Sequence, residues 1–295
     1  MNGMDDFNHG IDALLPPEIA RKAELVGAQK VRLDALSLLA LGVLGGAFIA
    51  LGAMFATTVL AGADGAVPFG ISRLLAGLVF CLGLILVVVG GAELFTGNTL
   101  MVMAVAAGKI RLREMLRAWL IVYVGNFIGA IGTAGLVFLS GQYLFGKGSI
   151  AVVALGFAVG KASLPVGQAF FLAILCNVLV CLAVWLAYGG RTTADKVLAI
   201  LFPVSAFVVA GFEHSVANMY VIPLGLFIKM WGPAELWTQI GSSAAAYPAL
   251  TWQAFFANLV PVTVGNIVGG GGLVGAVYWF VYLRQRPANE AAPYR

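Results

Sequence analysis

The chain has 295 residues, of which 61% are hydrophobic and 10% charged, and its mean hydropathy is +0.98. A soluble domain carries about 25% charged residues, so most of this chain is solvated by lipid and a soluble globular fold is excluded. The formal charge of +4 is spread as an orientation signal along one membrane domain, and nothing in it suggests nucleic acid.

Residues 1–34 form a polar head. Pro16-Pro17 open a helix that runs through Glu18 to Val31, with Ile19, Ala23 and Val26 on one face and cations on the other. That pattern suits a helix lying in the membrane interface and equally a solvated cytoplasmic helix. The first strongly apolar run begins near Leu36, too late for a cleavable secretory signal, so the head is expected to stay on the protein.

Apolar runs then fall at 36–61, 69–92, 115–140, 166–188, 197–228 and 253–283. Each can cross a hydrocarbon core that needs about 20 helical residues. Of the 17 Lys and Arg, all but Arg73, Lys147, Lys161 and Lys229 fall in the head, after the second and fourth runs, or at the end. The positive-inside rule converts that alternation into six spans over residues 35–284, with both termini and the tail 285–295 cytoplasmic.

A short pattern interrupts two of these runs, 120 residues apart: Val88-Val89-Gly90-Gly91-Ala92-Glu93 ending at Asn98, and Val208-Val209-Ala210-Gly211-Phe212-Glu213 ending at Asn218. A carboxylate inside an apolar span is costly, so two at matching places need a shared structural reason. A second repeat supports the first. Val124-Gly125-Asn126-Phe127-Ile128-Gly129 in span three matches Val264-Gly265-Asn266-Ile267-Val268-Gly269 in span six. Each half therefore holds three spans, and an odd number turns the second half upside down. The expectation is an all-α polytopic membrane protein of two inverted three-span repeats, with the second and fifth spans interrupted. The Gly-x-x-x-Gly spacings read as helix packing, with Asn126 and Asn266 placed to hydrogen-bond across those contacts.

Non-helical backbone at that depth survives only when buried in protein or lining a water-filled cavity. The half-helix ends it creates carry partial charges suited to a small ion. Within the second break stands His214, where the first has Leu94; asymmetry inside a symmetric motif marks the histidine as functional. No second histidine or cysteine pair completes a metal site, and no cofactor motif is present. Cys81, Cys176 and Cys181 lie in apolar runs and read as small buried hydrophobes. Lys161, just before span four, reads either as a loop cation or, folded inward near Glu213, as a group that draws anions to the mouth.

At these residues the chain resembles the formate/nitrite transporter family, most closely its formate-channel branch. The resemblance is carried by Glu93-Leu94-Phe95-Thr96, Cys176-Asn177-Val178-Leu179-Val180-Cys181, Glu213-His214-Ser215-Val216-Ala217-Asn218 and the two Val-Gly-Asn segments, and it runs from about Leu14 to Arg284. It implies an aquaporin-like fold in a homopentamer with one pore per protomer, in a bacterial cytoplasmic (inner) membrane. It further implies a cytoplasmic constriction of Phe80, Leu84 and Phe207 and an external one of Leu94, Phe95 and Val180. Between them would stand Thr96, Asn177 and His214, supported by Lys161, Glu213 and Asn218. The substrate implied is a small monovalent anion, formate first and nitrite or hydrosulfide as alternatives, with protons taking part through His214. No cofactor is implied. A membrane-embedded enzyme using Glu213 and His214 would show a nucleophile, metal cluster or cofactor motif, and the sequence carries none. The head is a candidate cytoplasmic gate.

Overall fold

The computed structural model describes residues 13–284; His9 and the tail 285–295 lie outside the described residues. Helices account for most of it, and no strand occurs among the described residues. In chain order they are α1 (Pro16–Lys30), α2 (Ala35–Leu60), α3 (Phe69–Gly90), α4 (Phe95–Ala106), α5 (Leu112–Leu139), α6 (Ser149–Ala162), α7 (Val166–Gly189), α8 (Thr193–Val209), α9 (Ser215–Trp231), α10 (Ala234–Gln239) and α11 (Trp252–Tyr282).

Five of these, α2, α3, α5, α7 and α11, are long and apolar enough to cross a membrane. The sixth crossing is shared by α8 and α9, 17 residues each, so the run at 197–228 is split in the middle. The break in the second run falls at its end instead, because α3 reaches 22 residues before it stops at Gly90. The chain is thus an all-helical polytopic membrane protein, with the interruptions where the repeated motif lies.

α2 packs along α3 and α5, and α7 packs along α8 and α11; α3 meets α8 between the halves. Close approach at the third helix of each half depends on an equivalent glycine. A Cβ on Gly129 would overlap the Val43 carbonyl oxygen, and one on Gly269 would overlap that of Ile174. This is the small-residue packing that drives helix association where lipid supplies no hydrophobic force.

The head helix departs from expectation. Its apolar face buries Ile19, Ala20, Ala23 and Gly27 against α4, α7 and the end of α11, so protein covers the face assigned to lipid or water. Lys30, at its C-terminus, is thereby carried to the first break.

Candidate functional site

The two breaks are built alike. α3 is followed by Gly91 with φ +82° and α8 by Gly211 with φ +73°, left-handed conformations that only glycine adopts without strain. Leu94 (φ −118°, ψ 121°) and His214 (φ −114°, ψ 116°) are then extended before the next helix starts. An unpaired amide at this depth costs several kcal/mol. Asn126 meets that demand in the first break: its amide donates to the carbonyls of Gly42 (2.7 Å) and Glu93 (2.9 Å) and its Oδ1 accepts from Phe95 N–H (2.8 Å). Asn266 repeats the arrangement, donating to Ala173 (2.8 Å) and Glu213 (3.0 Å) and accepting from Ser215 N–H (2.9 Å).

Each break holds one carboxylate against one lysine. Lys161 Nζ donates to Glu213 Oε1 at 2.6 Å and Asn218 Nδ2 to Oε2 at 2.6 Å, so Lys161 does fold inward. Lys30 Nζ donates to both Glu93 oxygens (2.9 and 2.7 Å) and to Asn98 Oδ1 (2.7 Å), and Asn98 Nδ2 donates to Glu93 Oε2 (2.7 Å). Sequence reasoning missed Lys30. Its signal was spacing: Lys30 precedes Leu41 by eleven residues and Lys161 precedes Leu172 by the same eleven, while Leu41 and Leu172 accept the N–H groups of Glu93 and Glu213. Asn258 was also missed. It accepts from Asn218 Nδ2 (2.8 Å) and donates to the Lys161 carbonyl (2.9 Å), with Ala118 at the equivalent place in the first half.

Thr96 and His214 join the two breaks. Thr96 Oγ1 and His214 Nε2 are 2.9 Å apart, and His214 Nδ1 accepts from Ala217 N–H at 3.1 Å as the N-cap of α9. The cap fixes the tautomer: a ring accepting at Nδ1 is neutral, carries its proton on Nε2 and donates it to Thr96 Oγ1. Asn177 Nδ2 bridges the same region, donating to the carbonyls of Thr96 (3.2 Å) and Asn266 (2.7 Å). All three side chains are at most 2% exposed.

A cavity opens on each side of this layer. One, of about 390 Å³, is lined by Arg73, Phe80, Lys161, Phe207, Glu213 and His214; the other, of about 400 Å³, by Lys30, Leu84, Glu93, Leu94, Asn98 and Tyr188. Phe80 and Phe207 meet edge to face with ring centroids 5.6 Å apart, and Phe207 stacks over His214 at 6.1 Å. This corrects the expected grouping of the apolar constrictions. Phe80 and Phe207 share a cavity with Lys161, whereas Leu84 joins Leu94 on the head-helix side. Phe80 and Leu84 are one helical turn apart, about 6 Å along α3, and the polar layer passes between their levels. Phe95 packs on Trp119 and Tyr123, and Phe95 and Val180 are buried without lining either cavity.

Residues 17–280 match the family model described as formate/nitrite transporter. The chain is 43% identical over 275 residues to the formate channel FocA of Escherichia coli K12, covering 93% of this chain and 96% of that protein. The chain belongs to the formate/nitrite transporter family. This family member is also 39% identical over 280 residues to the formate channel BtFdhC of Bacillus thuringiensis, covering 92% and 96% of the two chains. Its fold matches a solved pentameric formate channel with formate bound at a TM-score of 0.80 and 41% identity, over 85% of this chain and 98% of that one. Membership makes this formate/nitrite transporter a transport protein, not an enzyme.

Proposed function

We propose that each protomer of a homopentamer passes small monovalent anions, formate foremost, across the bacterial cytoplasmic membrane through the two cavities and the layer between them. The observation that carries this reading is the Thr96–His214 contact, which sets a hydrogen-bonding pair between two lysine-headed cavities and two apolar necks. The head helix and both termini face the cytoplasm, so Leu84–Leu94 form the inner neck and Phe80–Phe207 the outer one.

Burying an unpaired anion in an apolar neck is expensive. Lys161 and Lys30 lower that cost at the mouths, each exchanging part of its bond to glutamate for one to the anion. His214 Nε2–H and Thr96 Oγ1–H then donate to the anion between the necks. The proton route adds one step: a ring charged at both nitrogens gives its Nε2 proton to the carboxylate and is left neutral with its proton on Nδ1. The uncharged acid crosses the neck, and the resting ring is restored when Nε2 takes up a proton and Nδ1 releases one. Charging the ring breaks its Nδ1 bond to Ala217, so the charged form is transient. Nitrite is a monoanion of similar size with a weak conjugate acid and would use the same groups.

Formate and nitrite influx into liposomes, measured across external pH, tests the reading. Formate flux above nitrite and rising with acidity supports it; nitrite preference overturns the substrate, and no flux of either overturns the pore.

A further inference from the structure

Arg73 is the charged residue of the Lys161-side cavity that no ion pair accounts for. No carboxylate lies within ion-pair distance of it among the described residues, and the one acid lining that cavity, Glu213, is held by Lys161 and Asn218. Its guanidinium has a different partner: Nη2 donates to the Val208 carbonyl at 2.6 Å. It also lies over the Phe157 ring, 5.7 Å from the centroid, and its Nε is buried without a hydrogen-bond partner.

The position of that bond gives it a purpose. Val208 follows Phe207 in the last turn of α8, where the break leaves carbonyls without helical donors. The Val208 carbonyl also accepts from Gly211 N–H at 3.1 Å, just past the end of the helix. Arg73 supplies a cation to this C-terminal end, favourable for the helix dipole, and a second donor to a carbonyl with no i+4 helical partner. Arg73 and Phe80 are seven residues apart in α3, hence two turns along one face. One side chain of α3 therefore anchors the backbone beside Phe207, and another from the same face meets the Phe207 ring. Deeper in the pair, α3 and α8 are already packed tightly where Gly77 faces Ser205, so the free end of α8 is what remains to be held. The equivalent position in the other half is Thr193, whose short side chain cannot serve this way at the Leu84–Leu94 neck.

We propose that Arg73 is a positioning residue for the outer neck: by anchoring Val208 it holds Phe207 against Phe80 and sets the largest monocarboxylic acid that passes. The inference rests on the pore reading above.

The test is the rate of propionate relative to formate uptake into liposomes, for the full-length protein and three changes. Arg73→Met should raise that ratio at least about tenfold, the lower end of what a site discriminates per methylene, propionate carrying two more than formate. Phe207→Ala should raise it at least as much, and adding Arg73→Met to Phe207→Ala should change nothing further. Phe157→Leu, which removes only the ring beneath the guanidinium, should shift the ratio in the same direction, and it serves if the methionine variant fails to assemble. An unmoved ratio in Arg73→Met or Phe157→Leu overturns the proposal. So does an equal fall for both acids that disappears in high salt, which would make Arg73 an attractor of anions. Further opening of the Phe207→Ala neck by Arg73→Met overturns it as well. No formate uptake by the wild type would instead sink the pore reading, and an inert Phe207→Ala would sink the neck.

Discussion

Tyr123 Oη and Thr263 Oγ1 are 2.8 Å apart, and they are equivalent positions: each stands immediately before a Val-Gly-Asn segment, one in α5 and one in α11. Equivalent residues of two halves touch where a two-fold axis relating the halves passes between them. The matched bonds of Asn126 and Asn266 extend the same relation outward to both breaks.

Because the Tyr123–Thr263 bond joins the halves at their centre, removing it should loosen them without touching the cavities. Tyr123→Phe should cost about 1 kcal/mol, since the threonine hydroxyl can turn back to a helix carbonyl. Thr263→Val should cost a similar amount, and the double variant little more than either. Thermal midpoints of the purified protein in detergent would show it; additive losses would mean that the two side chains act separately.

The lysine–glutamate pairs should respond asymmetrically to loss of one partner. Lys161→Met leaves Glu213, whose side chain is 3% exposed, with only Asn218, and breaking a buried pair in this way costs about 3–5 kcal/mol. Lys30→Met should cost less, because the Glu93 side chain is 10% exposed. Adding Glu213→Gln to Lys161→Met should recover most of the thermal midpoint while formate uptake stays low. Full recovery of uptake would show that Lys161 serves only to neutralise the carboxylate.

Asn126 and Asn266 each satisfy three backbone groups at a break. Replacing either by leucine strands those groups in an apolar interior, with a loss of about 3 kcal/mol or more from unmade hydrogen bonds. Equal damage from Asn126→Leu and Asn266→Leu, read from assembly and melting in detergent, is the expected outcome. A tolerated change at one of the two would mean that its break is held by other contacts.

Much of this was legible in the chain. Apolar length gave the spans, and paired intramembrane glutamates could have few explanations other than matched breaks. Lys161 was readable because it stands next to a span. Lys30 was not, because it ends a helix whose apolar face looks the same whether lipid or protein covers it. Asn258 has no repeat partner to announce it. The resemblance placed Phe80 and Leu84 in one constriction, and their spacing of one helical turn did not reveal the depth at which the polar layer crosses the helix. Arg73 stood out in the chain only as one of four cations outside the cytoplasmic clusters, since only the folded chain brings it to Val208.

His214 offers the sharpest separation of structure from chemistry. Asparagine is a favoured N-cap and can accept from Ala217 N–H as the Nδ1 of His214 does, so His214→Asn should keep α9 started and the break folded. It can also donate to Thr96, though from a shorter reach, and it has no proton to give at any ordinary pH. If the ring passes protons, acidification accelerates formate uptake only while histidine is present. The asparagine variant should then carry formate at neutral pH with a flat response between about pH 5 and 8, the range in which histidine alone among unperturbed side chains titrates. Uptake that still rises with acidity in His214→Asn would leave His214 as a hydrogen-bond donor to the anion and assign the proton to bulk water at the mouths.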